Sequence, residues 1–369
     1  MIYLENHPPR LNGNNVQASN MSARSTTGLQ PRVFYLYFLI AAGAGIYFRL
    51  DQFFLQVLLD DEWHAVHQLL RAGPGQLFLT IGQADFSIPL ALLYWLEKQW
   101  FGLSELAMRW PMMIAGITTL FVLPLYLRRY LDERTALLFA AFMAISPVLI
   151  LYSRMARPYA LTLLLAFVAL GAFQRFHAGD RQAWKPALVF WFCAVSCSWL
   201  HLVSMPMVLA PFLTLGVSTL LNRDWHTLVR IFWLGLATLA GLLCLVLPPV
   251  LAHPEALSVK LGSALPTLHT YYGVLFVWLG TSSSMVVLTG GLLALVGIGK
   301  LWRELPLTRT LLAGLVLTYL AVLLTEPAWV HHPQTFARYL LPALVLFLLA
   351  AARGVTSLSQ IVAGRWASR

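Results

Sequence analysis

The chain has 369 residues, of which 59% are hydrophobic and only 11% charged, with a mean hydropathy of +0.71. Those values exclude an ordinary soluble domain and describe a polytopic membrane protein. The formal charge of +10 does not call for nucleic acid, because the basic residues are spread over loops in the manner of cytoplasmic loops between spans.

Residues 1–32 are rich in Asn, Ser, Thr and Pro and lack a basic start followed by an apolar core. They are expected to form a disordered cytoplasmic tail rather than a cleaved signal peptide. Apolar runs then predict about ten spans, near 33–50, 110–127, 136–152, 158–176, 187–203, 205–221, 229–250, 285–301, 310–324 and 338–352. Residues 33–352 thus read as one transmembrane domain and 353–369 as a second cytoplasmic tail. Cys193, Cys197 and Cys244 all fall inside apolar runs. Without a close pair or nearby His spacing they predict neither a disulfide framework nor a zinc site.

Charge sets the expected orientation. With the N-terminus inside, both tails and the loops around Arg128, Arg181, Arg223 and Arg303 hold most of the 25 Lys and Arg, while more of the 15 acids fall on the other face. The positive-inside rule then puts both termini in the cytoplasm. The outer connections are long, at roughly 51–109, 251–284 and 325–337. In the first, Ile88 to Phe101 predicts a short helix containing Glu97, Lys98 and several aromatic residues, which suits an interfacial helix better than a span. Asp61 to Leu70 predicts another, with Trp63, Val66, Leu69 and Leu70 on one side. Together they would form a jaw over the bundle.

Asp60, Asp61 and Glu62 open that second helix, and Asp85 lies later in the same loop. Clustered carboxylates have raised proton affinity and suit a general base, although acids also cap helices without doing chemistry. Arg154 and Arg157, in Tyr152-Ser153-Arg154-Met155-Ala156-Arg157-Pro158-Tyr159, stand at an outer boundary where arginines can hold an anion or pair with the jaw acids. Arg338, followed by Tyr339, stands at the outer start of the last span as a phosphate ligand or a lipid-headgroup anchor. His201, His331 and His332 could join Glu62 or Asp85 on a divalent metal, but no spacing enforces it. One carboxylate base with an arginine clamp matches sugar transfer from a lipid phosphate, whereas glycoside hydrolysis needs two cooperating carboxylates and no clamp.

In order, the chain carries Asp61-Glu62, Asp85, Ile88-Pro89-Leu90, then Phe101-Gly102-Leu103-Ser104-Glu105-Leu106-Ala107-Met108-Arg109-Trp110-Pro111, the Tyr152 to Leu161 segment and Arg338-Tyr339-Leu340-Leu341-Pro342. This succession resembles the membrane glycosyltransferases of the GT-C fold, in particular the bacterial relatives of dolichyl-phosphate-mannose protein mannosyltransferases and of the lipid A aminoarabinose transferase. The resemblance implies an all-α polytopic GT-C-like bundle in a bacterial inner membrane with its active site on the periplasmic face. It implies an inverting transferase that takes a sugar from a polyprenyl-phosphate donor to a lipid, glycan or protein acceptor. It places the base on Asp61 beside Glu62, the phosphate ligand on Arg338, and substrate contacts on Asp60, Asp85, Arg154, Arg157, Tyr159 and Tyr339. Relatives often read His-Pro-Pro-Leu or Lys-Pro-Pro-Leu where this chain has Ser87-Ile88-Pro89-Leu90. That departure motivates the alternative of a catalytically silent GT-C-like subunit that binds lipid or scaffolds a membrane complex. Neither a required metal nor any other cofactor is implied.

Overall fold

The computed structural model describes residues 30–79, 87–179, 182–254 and 264–367, and within them every regular element is helical. In chain order these are α1 (Pro31–Leu50), α2 (Asp60–Arg71), α3 (Pro74–Leu79), α4 (Ile88–Trp100), α5 (Glu105–Leu127), α6 (Glu133–Ile145), α7 (Pro147–Arg154) and α8 (Tyr159–His177). They continue with α9 (Trp184–Leu200), α10 (Met205–Leu221), α11 (Trp225–Ala252), α12 (Leu268–Leu279), α13 (Ser284–Glu304), α14 (Leu307–Thr325), α15 (Pro333–Tyr339) and α16 (Leu341–Ala367). Among the described residues, 8 helices are long and apolar enough to cross a membrane, and α6 with α7 forms one further, bent candidate. Adding the shorter apolar helix α9 recovers every span expected from the sequence. The protein is an all-α polytopic membrane protein.

Local chemistry sets the helix starts. Ser104 caps α5 by accepting the Ala107 amide, Asp132 caps α6 through the Thr135 amide, and Asp224 caps α11 through the Thr227 amide. Each acceptor takes one of the amides that a helix start leaves unpaired.

Three features differ from the sequence expectation. The span expected at 136–152 is broken, with α6 and α7 meeting at 56° across Ser146. Pro147 has no amide hydrogen to offer the carbonyl of Met143, and the bend carries the next amide away from Ala144. Arg49, fully buried on α1, supplies what is missing. Its Nη2 donates to the Met143 carbonyl at 3.3 Å, its Nη1 to those of Ala144 and Gly45, and its Nε to Ser153 Oγ. Gly116 of α5 lets Ser153 come this close, since a Cβ there would lie 2.0 Å from Ser153 Oγ. Arg49→Met should leave the two carbonyls at the break without donors, at about 1–3 kcal/mol each. A fall of several degrees in the unfolding temperature of the detergent-solubilised protein would show it; an unchanged temperature would mean that water or lipid satisfies them instead.

The second difference lies at the chain end, where residues 353–369, expected as a tail, continue α16 in helical form as far as Ala367. Arg353 ties the start of this stretch to its neighbours. Its Nε and Nη2 donate to both carboxylate oxygens of Glu304 at 2.7 and 2.6 Å, and its Nη1 lies 3.5 Å from Asp132. α13 and α16 touch backbone to backbone, because a Cβ on Gly297 would meet the Ala350 carbonyl at 1.7 Å. Such small-residue contacts are how membrane helices approach closely.

The third concerns the jaw. α2 and α4 are both present, but α2 buries Glu62, Ala65, Val66 and Leu69, whereas Trp63 and Leu70 are exposed. The buried face packs with Leu90, Ala91 and Tyr94 of α4 on Met108 and Met112 of α5. A helical pattern of four apolar residues fits two overlapping faces, and packing against α4 and α5 selects the one that carries Ala65, Val66 and Leu69, with Glu62 paired to Arg109 beside them.

Candidate functional site

The site forms where α2, α5, the segment after α7, the start of α8 and α15 converge. Asp61 and Glu62 occupy the second and third positions of α2. Residues adjacent on a helix point in different directions, and these two carboxylates enter different surroundings.

Glu62 points inward and is fully buried. Its Oε2 accepts the Leu59 amide at 2.6 Å, closing the helix start, and accepts from Arg109 Nη2 at 3.3 Å. Its Oε1 accepts from Arg109 Nε and from the Ala156 amide. Four donors therefore occupy this carboxylate. Arg109, equally buried on α5, also donates to the carbonyls of Gln56 and Val57. The pair ties the segment before α2 and the segment after α7 to one point on α5. Ala156 shares in this from its other side, since its carbonyl accepts from Tyr94 Oη of α4 at 3.1 Å.

Asp61 points outward and its side chain is 45% exposed. Its Oδ2 accepts from Arg338 Nη1 of α15 at 2.9 Å, bringing together residues 277 apart in the chain. The backbone carbonyl of Asp61 accepts from Arg157 Nη1 at 3.1 Å. Both guanidinium groups also approach the Tyr159 ring, at 5.9 Å for Arg157 and 5.8 Å for Arg338. Arg338 lies over Tyr339 as well, and Tyr339 stacks on His201 at 5.7 Å. Tyr159, His201, Arg338 and Tyr339 border a cleft enclosing about 430 Å³ of space including its open mouth, with Leu163, Met207 and Leu315 among its apolar lining.

Of the residues singled out from the sequence, Tyr159, Arg338 and Tyr339 thus line one cleft, Asp61 joins them through Arg338 and Arg157 through the Asp61 carbonyl, and Glu62 follows Asp61 on α2. Arg154 turns aside and donates to Gln56 Oε1 at 3.2 Å. Asp85 lies outside the described residues, as does the side chain of Asp60. His331 and His332 stack on each other and on Trp329 rather than on the acids. Among the described residues no three His, Cys, Asp or Glu side chains gather in a metal-binding group.

Sequence reasoning gave no role to Arg109, Gln56 or the Ala156 peptide. Arg109 left a signal, since an arginine just inside an apolar run needs a buried partner. A backbone amide leaves none.

Residues 88–253 match the family model described as dolichyl-phosphate-mannose-protein mannosyltransferase. The match runs from α4 through α11 and takes in Arg109, Arg157, Tyr159 and His201, while Asp61, Glu62 and Arg338 lie beyond its limits. No curated protein matches the chain. Together with the bundle of apolar spans, the family match supports a membrane glycosyltransferase of the GT-C type.

Proposed function

We propose that the protein moves a sugar from a polyprenyl-phosphate donor to an acceptor hydroxyl at the Asp61 end of the bundle, with inversion at the anomeric carbon. The contact that carries this assignment is the 2.9 Å pair between Asp61 and Arg338 at the mouth of an apolar-walled cleft. A carboxylate and a guanidinium so placed are a base and a phosphate ligand that occupy each other until substrate arrives.

The donor phosphate takes Arg338, with Arg157 beside it, and the polyprenyl chain follows the apolar wall past Met207 and Leu315. Asp61, released, accepts the proton of the acceptor hydroxyl as that oxygen bonds to the anomeric carbon. The bond from that carbon to the phosphate oxygen breaks, and the polyprenyl phosphate leaves with the electron pair. Its growing charge is matched by Arg338. A single displacement with one carboxylate inverts the carbon. Glu62 is a positioning residue, since its oxygens are already taken by four donors.

The distribution of basic residues supports a periplasmic site in a bacterial inner membrane with both termini cytoplasmic. Arg128, Arg175, Lys185, Arg223 and Arg303 all stand at helix ends or loops away from Asp61. The acceptor is a lipid, glycan or protein reached from that side.

Mass spectrometry of co-purified lipid tests the donor class. Wild-type protein is expected to carry a polyprenyl phosphate, and Arg338→Ala to retain about 10- to 100-fold less, the worth of a charge-assisted hydrogen bond of about 1.5–3 kcal/mol. Ordinary phospholipid alone in both proteins would remove the support for this donor and leave the non-catalytic subunit as the better account.

A further inference from the structure

A second and larger cleft lies at the other end of the bundle, enclosing about 1140 Å³ of space including its open mouth. It is walled by α5, α8, α9, α14 and α16. α5 and α8 finish there, at Leu127 and His177, and α9 and α14 begin there, at Trp184 and Leu307. The start of α8 carries Tyr159, so Arg175 at this cleft stands 16 residues further along one helix, about 24 Å from the Asp61 site at 1.5 Å per residue. The two clefts share no lining residue.

The wall is apolar, with Phe167, Leu311 and Leu346 among its side chains, and the polar groups collect at one end. That end holds Arg175 and Lys185, both exposed, and the Tyr126 hydroxyl, which donates to Gln174 Oε1 at 3.2 Å. An apolar hollow offers water none of the two to four partners that would hold it. Val122 and Val189 of its lining are exposed toward the surroundings of the bundle, so hydrocarbon from the bilayer can fill it.

Length decides which hydrocarbon. From Arg175 to Phe167 the α8 wall runs eight residues, about 12 Å, close to half of a hydrocarbon core of about 30 Å. The cleft is one leaflet deep. A phospholipid acyl chain matches that depth, whereas a polyprenyl chain is much longer. We propose that this cleft holds one acyl chain of an anionic phospholipid from the leaflet opposite the Asp61 site, with its headgroup phosphate between Arg175 and Lys185. The site is independent of the proposed sugar transfer.

Native mass spectrometry of the full chain, with phosphatidylglycerol and phosphatidylcholine at equal concentration, tests this. Wild-type protein should retain phosphatidylglycerol preferentially, and Arg175→Gln with Lys185→Gln should lower its retention about 10- to 30-fold, given two basic groups near a lipid headgroup. Gly171→Leu should plug the cleft and reduce both lipids, because a Cβ at Gly171 meets only the Tyr126 ring, at an ordinary 3.5 Å. Co-purified polyprenyl phosphate should be unaffected in every one of these variants, which keeps the outcome separate from that at Arg338. Full lipid retention by Gly171→Leu, an undiminished phosphatidylglycerol preference in the charge variant, or displacement of phosphatidylglycerol by polyprenyl phosphate would each overturn the proposal.

Discussion

Asp61→Asn is expected to lower sugar transfer by about 10²- to 10⁴-fold, the usual contribution of a general base, while the variant still co-purifies with donor lipid. The amide keeps an oxygen that can accept from Arg338 Nη1, so the local fold and the phosphate ligand persist. What it cannot do is take a proton. The measurement is transfer by the reconstituted protein from a polyprenyl-phosphate sugar, beside the lipid content of the same preparation. Full transfer by Asp61→Asn would remove Asp61 as the base, and loss of donor lipid with loss of transfer would assign it to binding instead.

Glu62→Gln should act on stability first. The amide nitrogen would face a donor, because all three groups around Glu62, with four N–H donors among them, donate to it. Arg109 would be left charged and buried without a counter-charge, a situation that typically costs about 3–5 kcal/mol. Arg109→Met strands the carboxylate in the same way. Glu62→Gln combined with Arg109→Met should cost less than the two single changes added together, since it leaves neither charge behind. Thermal unfolding of the solubilised protein measures all three. Wild-type unfolding temperatures in both single variants would show that the pair does not hold α2 in place.

The spans were legible because a bilayer demands long apolar helices whatever else the chain does. The helices of the jaw were legible for the complementary reason, since Glu97 and Lys98 make Ile88–Trp100 too polar and too short to read as a span. The pairing of Asp61 with Arg338 was foreshadowed only as two charges on the same face, because nothing local in the sequence encodes a contact across 277 positions. The division between Asp61 and Glu62 was hidden. It depends on which side of α2 meets Arg109, and that follows from packing of the jaw on α5. The break at Pro147 was visible as a proline, but its repair by Arg49 from another helix was not. Likewise Arg353 marked the end of an apolar run, and its bidentate contact with Glu304 from another helix was not visible.

The ion pair at the cleft mouth has a kinetic corollary. While Arg338 holds Asp61, the carboxylate Oδ2 is engaged by the guanidinium, so an acceptor hydroxyl reaching the site first finds that oxygen occupied. An arriving phosphate cancels the arginine instead and leaves the carboxylate uncompensated. Under the proposed transfer, the donor's own charge arms the base, which imposes donor-first order.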